Sequence, residues 1–495
     1  MFTTISQVDL TMLSPNALKQ KLIDSIAELA DNIDQHCSNP GKDFSRSTKL
    51  GLDGLIWHFV CMGSKDTRSE IADLIPLEKP AYTDSAITMA RRKLNISGME
   101  FLFHNFTDKL NTSVTIKGYT LCAVDGTDLN IYLNPEDPET FVRQREKSGY
   151  NQFHINVAFN PLTNIVVDFE IDTKRKKNEA EAFMKMFNTW SPEKRNKCIY
   201  ICDRGYISYR LIDFLNCSGA KYLLRAKDIT GKSMFSGLDL PDREFDMEIT
   251  RILTRKHNKE YMNNRKVYTV LESNVKFDMP PGIDEYPLTF RLVRVLLSTG
   301  EYELLVTNLS EEEFSKEDLK KLYNLRWNLE INNKEAKYSI NLVDLHSRKQ
   351  NYIRQEIYAR YLLLNFTNAV TFGASFMLRR IDYSDRTNSS IIRNTLDRLL
   401  AGEVISPTPP PEFAQYSDEP LVSGKSKRTR DSLPVYKIDF SSAATNIRKF
   451  LKEEHTEDEF ILARIIKFLV LVQPGRSYDR DVKPQSNRKF SYRGS

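Results

Sequence analysis

Glycine-rich phosphate motifs are missing from this sequence. Neither G-x-G-x-x-G nor the P-loop pattern occurs, which argues against a nucleotide cofactor. The six cysteines (Cys37, Cys61, Cys122, Cys198, Cys202 and Cys217) contain no C-x2-C pair. Cys198 and Cys202 share one short apolar run that reads as a buried strand, so the set reads as reduced core thiols of a cytosolic protein. The seven histidines are dispersed, with no H-E-x-x-H spacing. His154, between Phe153 and Ile155, reads as a half-buried strand residue, and His346 as a loop residue. No G-x-S-x-G element is present. The start, MFTTISQVDL, lacks a basic region followed by an apolar run, so no signal peptide is expected. Phe460 to Val472 is interrupted by Arg464 and Lys467, too short and polar for a membrane span.

What is present is an ordinary globular composition, 40% hydrophobic and 28% charged, with ample material for a core. A chain of 495 residues should hold more than one folding unit. The net charge of +5 is small, but basic clusters permit nucleic acid as a partner.

Residues 1–117 read as helical, with helices expected at Pro15 to Ala30, Leu52 to Met62, Asp66 to Leu74 and in AITMARRKL. The last carries Arg91, Arg92 and Lys93 together. That suits a DNA-docking bundle, or equally a plain bundle with a solvated basic face. From Gly118 the period shortens. Tyr119 to Val124 reads as a buried strand ending at Asp125, Gln152 to Asn160 and Ile165 to Ile171 as two more, Glu179 to Phe187 as a helix. Cys198 to Cys202 is a strand ending at Asp203, Ser208 to Cys217 a helix, and Lys221 to Arg225 a strand. This order predicts a mixed α/β core over 118–228 and 304–375. Between them, 229–303 alternates in REFDMEITRIL, RKVYTVLES and FRLVRVLLS, the pattern of an antiparallel β-rich insertion. A helix over Asn351 to Thr371 follows. Residues 376–495 hold a Pro-rich linker at 403–435, a helical stretch from Phe440 to Leu471 and a loose basic tail.

The spacing predicts one helix over 315–341. On it Tyr323, Arg326, Glu330 and Lys337 fall within an arc of about 60°. Leu322, Leu325, Leu329, Ala336 and Ile340 form the neighbouring apolar stripe. Alone, this is an amphipathic helix with a charged face. Asp125 and Asp203 change its meaning, because each ends a short apolar strand, where ligands of α/β sheets gather. With Glu330 they would make three acids, which repel unless cations hold them. Mg2+ (or Mn2+) takes such hard oxygen ligands, and two such ions can drive phosphodiester chemistry. The cations around Glu330 would bind neighbouring phosphates.

VDGTD at 124–128, CDRGY at 202–206 and Y-x2-R-x3-E-x6-K from Tyr323 to Lys337 together resemble the DDE transposases of the insertion-sequence-four family. GMEFLF, GYNQFHINVAFN, NEAEAF, LHSRKQNYIRQEIYA and PGRSYDR fit as well, so the resemblance runs from about residue 50 to 480. It implies an RNase H-like core interrupted by a β-rich insertion, and an enzyme of the bacterial cytoplasm that binds double-stranded DNA at the terminal inverted repeats of its element. It further implies Mg2+-dependent cleavage, hairpin formation and strand transfer, carried out by a synaptic homodimer. Asp125, Asp203 and Glu330 would carry the metals, and Tyr323, Arg326 and Lys337 would grip phosphates near a flipped nucleotide. Trp327, beside Arg326, would buttress that strand unless it is a core residue. Relatives stack the extruded base on an aromatic from the insertion, for which Tyr302 is the nearest candidate. The competing readings are a transposase-derived DNA-binding protein or inhibitor without catalysis, and a general metal-dependent nuclease.

Overall fold

The computed structural model describes residues 13–378 and 436–471, except 79, 111–113, 145–146, 174–177, 230–233, 236 and 298. The Pro-rich linker and the basic tail lie outside the described residues.

Among the described residues, six helices precede the sheet: α1 (Pro15–Asp31), α2 (Ile33–His36), α3 (Gly51–Cys61), α4 (Thr67–Leu74), α5 (Asp84–Lys93) and α6 (Ile96–Lys109). Their starts are chemically marked. Ser14 caps α1 with Pro15 at its first position, Asp66 caps α4, and Thr83 caps α5. The basic end of α5 corrects one expectation. Arg91 is buried, and its guanidinium donates to Gln355, Ser347, the Tyr352 carbonyl and Glu356. Stripping one partner from such a buried pair costs roughly 3–5 kcal/mol. Arg91 is therefore an internal tie between helices, with four of its five N–H donors engaged inside the protein. Arg92 is exposed, and Lys93 lies over the Phe44 ring.

The sheet strands are β1 (Thr120–Ile131), β2 (Phe141–Gln144), β3 (Lys147–Asn160), β4 (Ile165–Thr173), β5 (Cys198–Cys202) and β6 (Lys221–Ala226). They continue with β7 (Phe245–Thr254), β8 (Tyr268–Val270), β9 (Tyr286–Leu296) and β10 (Tyr302–Thr307). Among them lie α7 (Glu179–Thr189), α8 (Pro192–Arg195), α9 (Tyr209–Cys217) and α10 (Lys259–Asn263). All ten strands join one mixed sheet, in the order β2-β3-β1-β5-β6-β10-β9-β7-β8, with β4 also on β3. The stretch 229–303 thus extends the central sheet instead of standing apart. β10 pairs antiparallel with β6, and β8 runs parallel to β7.

Strand alternation divides the core in two. Leu121, Ala123, Ile199, Ile201 and Leu223 face one cluster, shared with the N-terminal helices and the helices after β10. Cys122, Val124, Tyr200, Cys202 and Leu224 face the other, shared with α7, α9 and the added strands.

The helix expected over 315–341 is three pieces: α11 (Lys316–Asn324), α12 (Trp327–Lys334) and a π turn (Glu335–Ser339). A capping box of Ser315 and Asp318 opens α11. At the joint, Arg326 N bonds the Tyr323 carbonyl and Leu329 N the Arg326 carbonyl, a tighter three-residue spacing. The apolar stripe is buried as its spacing predicts, with Leu322, Leu325, Leu329, Ala336 and Ile340 all in the core. Buried Asn332, with Asn328, fastens α12 to the β3–β4 turn through the Asn164 and Pro161 carbonyls.

The long helix α13 (Gln350–Leu378) follows, then β11 (Tyr436–Ile438), α14 (Phe440–Lys452), α15 (Asp458–Ile466) and β12 (Leu469–Leu471). The C-terminal stretch is thus two helices bracketed by a two-stranded ribbon, not helix throughout. It holds the π turn: Arg448 donates to the Ser339 and Ile340 carbonyls, and the Ser441 and Ser339 hydroxyls bond.

Burial raises the Glu335 carboxyl of this turn to about 7, with Lys437 opposing and Asp439 adding. Its folded value therefore exceeds the ordinary 4.5. Stability is then greatest below pH 4.5 and falls as pH rises through 7, where the fold must ionise a half-buried acid. Glu335→Gln is expected to raise the melting temperature at pH 8, by the equivalent of at most about 3 kcal/mol. At pH 4 the two proteins should melt together. A difference that does not change with pH would show that the carboxyl ionises as freely in the fold as outside it.

Candidate active site

Asp125 and Asp203 share a face because of strand register. β1 and β5 run parallel from Thr120↔Cys198 to Val124↔Cys202, so Asp125 and Asp203 are the next residue on each strand. By alternation both point to the side of Ile199 and Ile201, where α11 and α12 pack. Asp203 leaves the sheet at once. Asp125 does not: β1 continues against β3, with Asp125 opposite Val157. Asp125 therefore lies within a strand, at the point where its parallel neighbour ends, and Gly126-Thr127 is not a turn.

One guanidinium gathers the acids. Arg326 is 2% exposed, with Nη1 3.6 Å from Asp125 Oδ2 and Nη2 3.7 Å from Glu330 Oε1. Tyr323, 1% exposed, donates its hydroxyl to Asp203 Oδ1 at 3.0 Å. Arg225, at the end of β6, lies 3.7 Å from Asp203 and 3.2 Å from Glu303. Burial pushes the Asp125 carboxyl up to about 6, against Arg326 and the Gly126 N–H, with Asp203 and Glu179 adding to the rise. Burial pushes Asp203 the same way, but Arg326, the Arg204 N–H, Tyr323 and Arg225 outweigh it and hold Asp203 below its ordinary value. Burial would lower Arg326, but Tyr323, Asp203, Asp125 and Glu330 raise it, so this cation stays charged.

Several sequence expectations are redrawn by this geometry. Tyr323 and Arg326 do not present donors outward for phosphate; both are buried and engaged with the acids. Lys337 lies within the π turn, off the regular wheel, and burial lowers its pKa against the pull of Asp128. Tyr302 faces away from the acids. On β10 it alternates with Glu303, and its ring covers the Arg294 guanidinium at 3.8 Å. Trp327 is not a core residue; it is 53% exposed, and Ile331 and Tyr338 are exposed beyond it. The reading of His154 as half-buried is also corrected, since it is 1% exposed and bonded to Asp128. His346 has the loop role expected, contacting the Lys65 carbonyl.

Sequence reasoning missed Arg225 and Glu303. Both are charges inside apolar strands, KYLLRA and YELLVT, and that anomaly was the available signal. Burial raises the Glu303 carboxyl, with Arg225 and Arg326 opposing.

Three carboxylates offer the hard oxygens that a divalent cation takes. The raised Asp125 marks a place where more positive charge would be stabilising. As posed, no three acid, imidazole or thiolate side chains among the described residues enclose an ion. Arg326 stands between them.

Residues 116–366, about half of the chain, match the Transposase DDE domain family. The Transposase InsG for insertion sequence element IS4 of Escherichia coli (strain K12) is 23% identical over 340 residues, covering 65% of this chain and 70% of that protein. The cryo-EM structure of a piggyBac transposase synaptic complex with hairpin DNA is similar over 78% of each chain, at 10% identity and a TM-score of 0.38, too distant to support an argument.

Proposed function

The chain belongs to the DDE transposase family of the IS4 type, whose work is DNA transposition, and from that premise we propose that it cuts and rejoins DNA at the inverted repeats of its own insertion sequence. The reading rests on one observation: Asp125, Glu330 and the Tyr323–Asp203 pair, distant in sequence, meet around Arg326. Asp125, Asp203 and Glu330 would hold two Mg2+ ions, with Mn2+ able to substitute, in an RNase H-like core. The chemistry such a cation supplies when bound is activation of a water or 3′-hydroxyl and charge stabilisation at the leaving oxygen.

The chain's own residues do the rest. Tyr323 orients the Asp203 carboxylate through its hydroxyl. Arg326 balances the acids and, released by a competing cation, can turn its fork to a phosphate. Trp327, exposed beside Arg326, offers an aromatic face on which an unpaired base could stack. Hairpin formation, followed by strand transfer from a dimer that pairs two ends, completes the proposal.

The test is incubation of the protein with Mg2+ and DNA carrying the element's ends. Hairpin-ended products are expected, and none with Asp203→Ala. Sequence-indifferent degradation would favour a general nuclease. Binding without cleavage, even in Mn2+, would favour a non-catalytic DNA-binding protein.

A further inference from the structure

Opposite Asp125 and Asp203, on the other face of the sheet, a half-buried side chain fills a gap that two glycines leave open. Glu179 begins α7, and its carboxylate lies between Gly126 and Gly205. A Cβ on Gly205 would stand 2.2 Å from Glu179 Oε2. A Cβ on Gly126 would stand 3.0 Å from Glu179 Oε1 and 2.4 Å from His154 Nε2. No side chain larger than hydrogen fits at either place without moving Glu179 or His154. Gly126 directly follows Asp125, and Gly205 is two residues after Asp203. Glu179 therefore touches the two backbone segments that carry the two aspartates, at the point where β5 stops pairing with β1.

Its own position is set from below. His154, opposite Asp128 in the β1–β3 register, has Nε2 3.5 Å from Glu179 Oε1 and Nδ1 2.7 Å from Asp128 Oδ1. Tyr206, buried beside them, donates to Asn156 on the same strand as His154. Past Val124 and Cys202 no ladder hydrogen bonds join β1 to the turn after β5. Packing against Glu179 takes over where the ladder ends.

We propose that Glu179, braced by His154 and Asp128, is a positioning residue: a wedge between Gly126 and Gly205 that sets the spacing of Asp125 and Asp203. The inference rests on the reading of those aspartates as a shared cation site. A cation bridging two carboxylates is sensitive to their separation, so loss of the wedge should appear as weaker metal binding before anything else.

The experiment measures Mn2+ binding by calorimetry to the full chain, with circular dichroism as a check of folding, and cleavage against Mn2+ concentration as a second readout. Glu179→Ala is expected to weaken Mn2+ binding about tenfold or more, and to move the activation midpoint by a similar factor. Glu179→Gln, which keeps the shape, should stay within about threefold of wild type. Gly205→Ala should weaken binding as Glu179→Ala does, and the Glu179→Ala/Gly205→Ala double variant should be no worse than Glu179→Ala, because the methyl then enters vacated space. A folded Glu179→Ala protein with unchanged Mn2+ binding overturns the wedge, as does a Glu179→Gln loss equal to that of alanine, which would assign the carboxylate charge instead. Asp203→Ala separates the two levels. If it too binds Mn2+ as wild type does, the cation-site reading fails, and the wedge with it. If it loses Mn2+ while Glu179→Ala does not, only the wedge fails.

Discussion

Glu330→Gln is expected to reduce cleavage of end-bearing DNA by at least about a thousandfold, which corresponds to some 4 kcal/mol of lost transition-state stabilisation. The amide keeps the size of the carboxylate and can remain beside Arg326, so the fold should survive. What it removes is the negative charge that a divalent cation needs as ligand. DNA binding in metal-free buffer should stay within a few-fold, because affinity for DNA rests mainly on phosphate contacts spread over a large basic surface. A gel shift and a cleavage assay on the same preparation decide the matter. A folded variant that still cleaves at more than a few per cent of the wild-type rate would remove Glu330 from the site. One that cleaves nothing because it no longer binds would relocate its role to recognition.

Arg326→Gln should show the opposite balance, with stability affected as well as activity. The side chain is buried between Asp125 and Glu330 and is coupled to Asp203. Removing one partner of a buried ion pair costs roughly 3–5 kcal/mol, because the other is left uncompensated. These acids are about a quarter exposed, at 25%, 27% and 23% for Asp125, Asp203 and Glu330, so solvent screening reduces the expected loss to about 2–3 kcal/mol. The loss should be largest at neutral pH and shrink near pH 4.5, where Asp125, already raised by burial, takes up its proton in both proteins. Mg2+ should stabilise the variant more than the wild type, because the ion no longer competes with a guanidinium. Thermal melts at pH 7.5 and 4.5, with and without Mg2+, test all three statements. Equal melting of variant and wild type at pH 7.5 would mean that Arg326 is not the charge that holds the acids.

Much of the chain is legible residue by residue. The apolar run Cys198–Cys202 reads as a buried strand and is one. Ser208 precedes an amphipathic run and caps α9. The stripe Leu322, Leu325, Leu329, Ala336 and Ile340 is buried even though the helix carrying it is broken twice, because small departures in turn geometry displace a side chain by less than the width of the stripe. The same departures matter for a point contact. Lys337 lies within the π turn and feels the charge of Asp128, a placement that no regular wheel contains.

Charge was the less readable property. A helical wheel assigns direction but not depth, so Arg91 in ARRKL reads as surface, yet α13 lies across it and supplies Glu356 and Gln355, with Ser347 from the segment before it. Likewise Arg326 and Tyr323 read as outward phosphate ligands, and they are buried because the end of β5 brings Asp125 and Asp203 beneath them.

The sequence alone determined the periods and the apolar faces, since each depends on residues a few positions apart. Tertiary structure alone decided that 229–303 joins the central sheet, that one guanidinium collects acids separated by 205 residues from Asp125 to Glu330, and that Glu179 needs glycines at 126 and 205. Those outcomes depend on which strand edges meet and how closely two backbones approach, and neither quantity is written into any local run of residues.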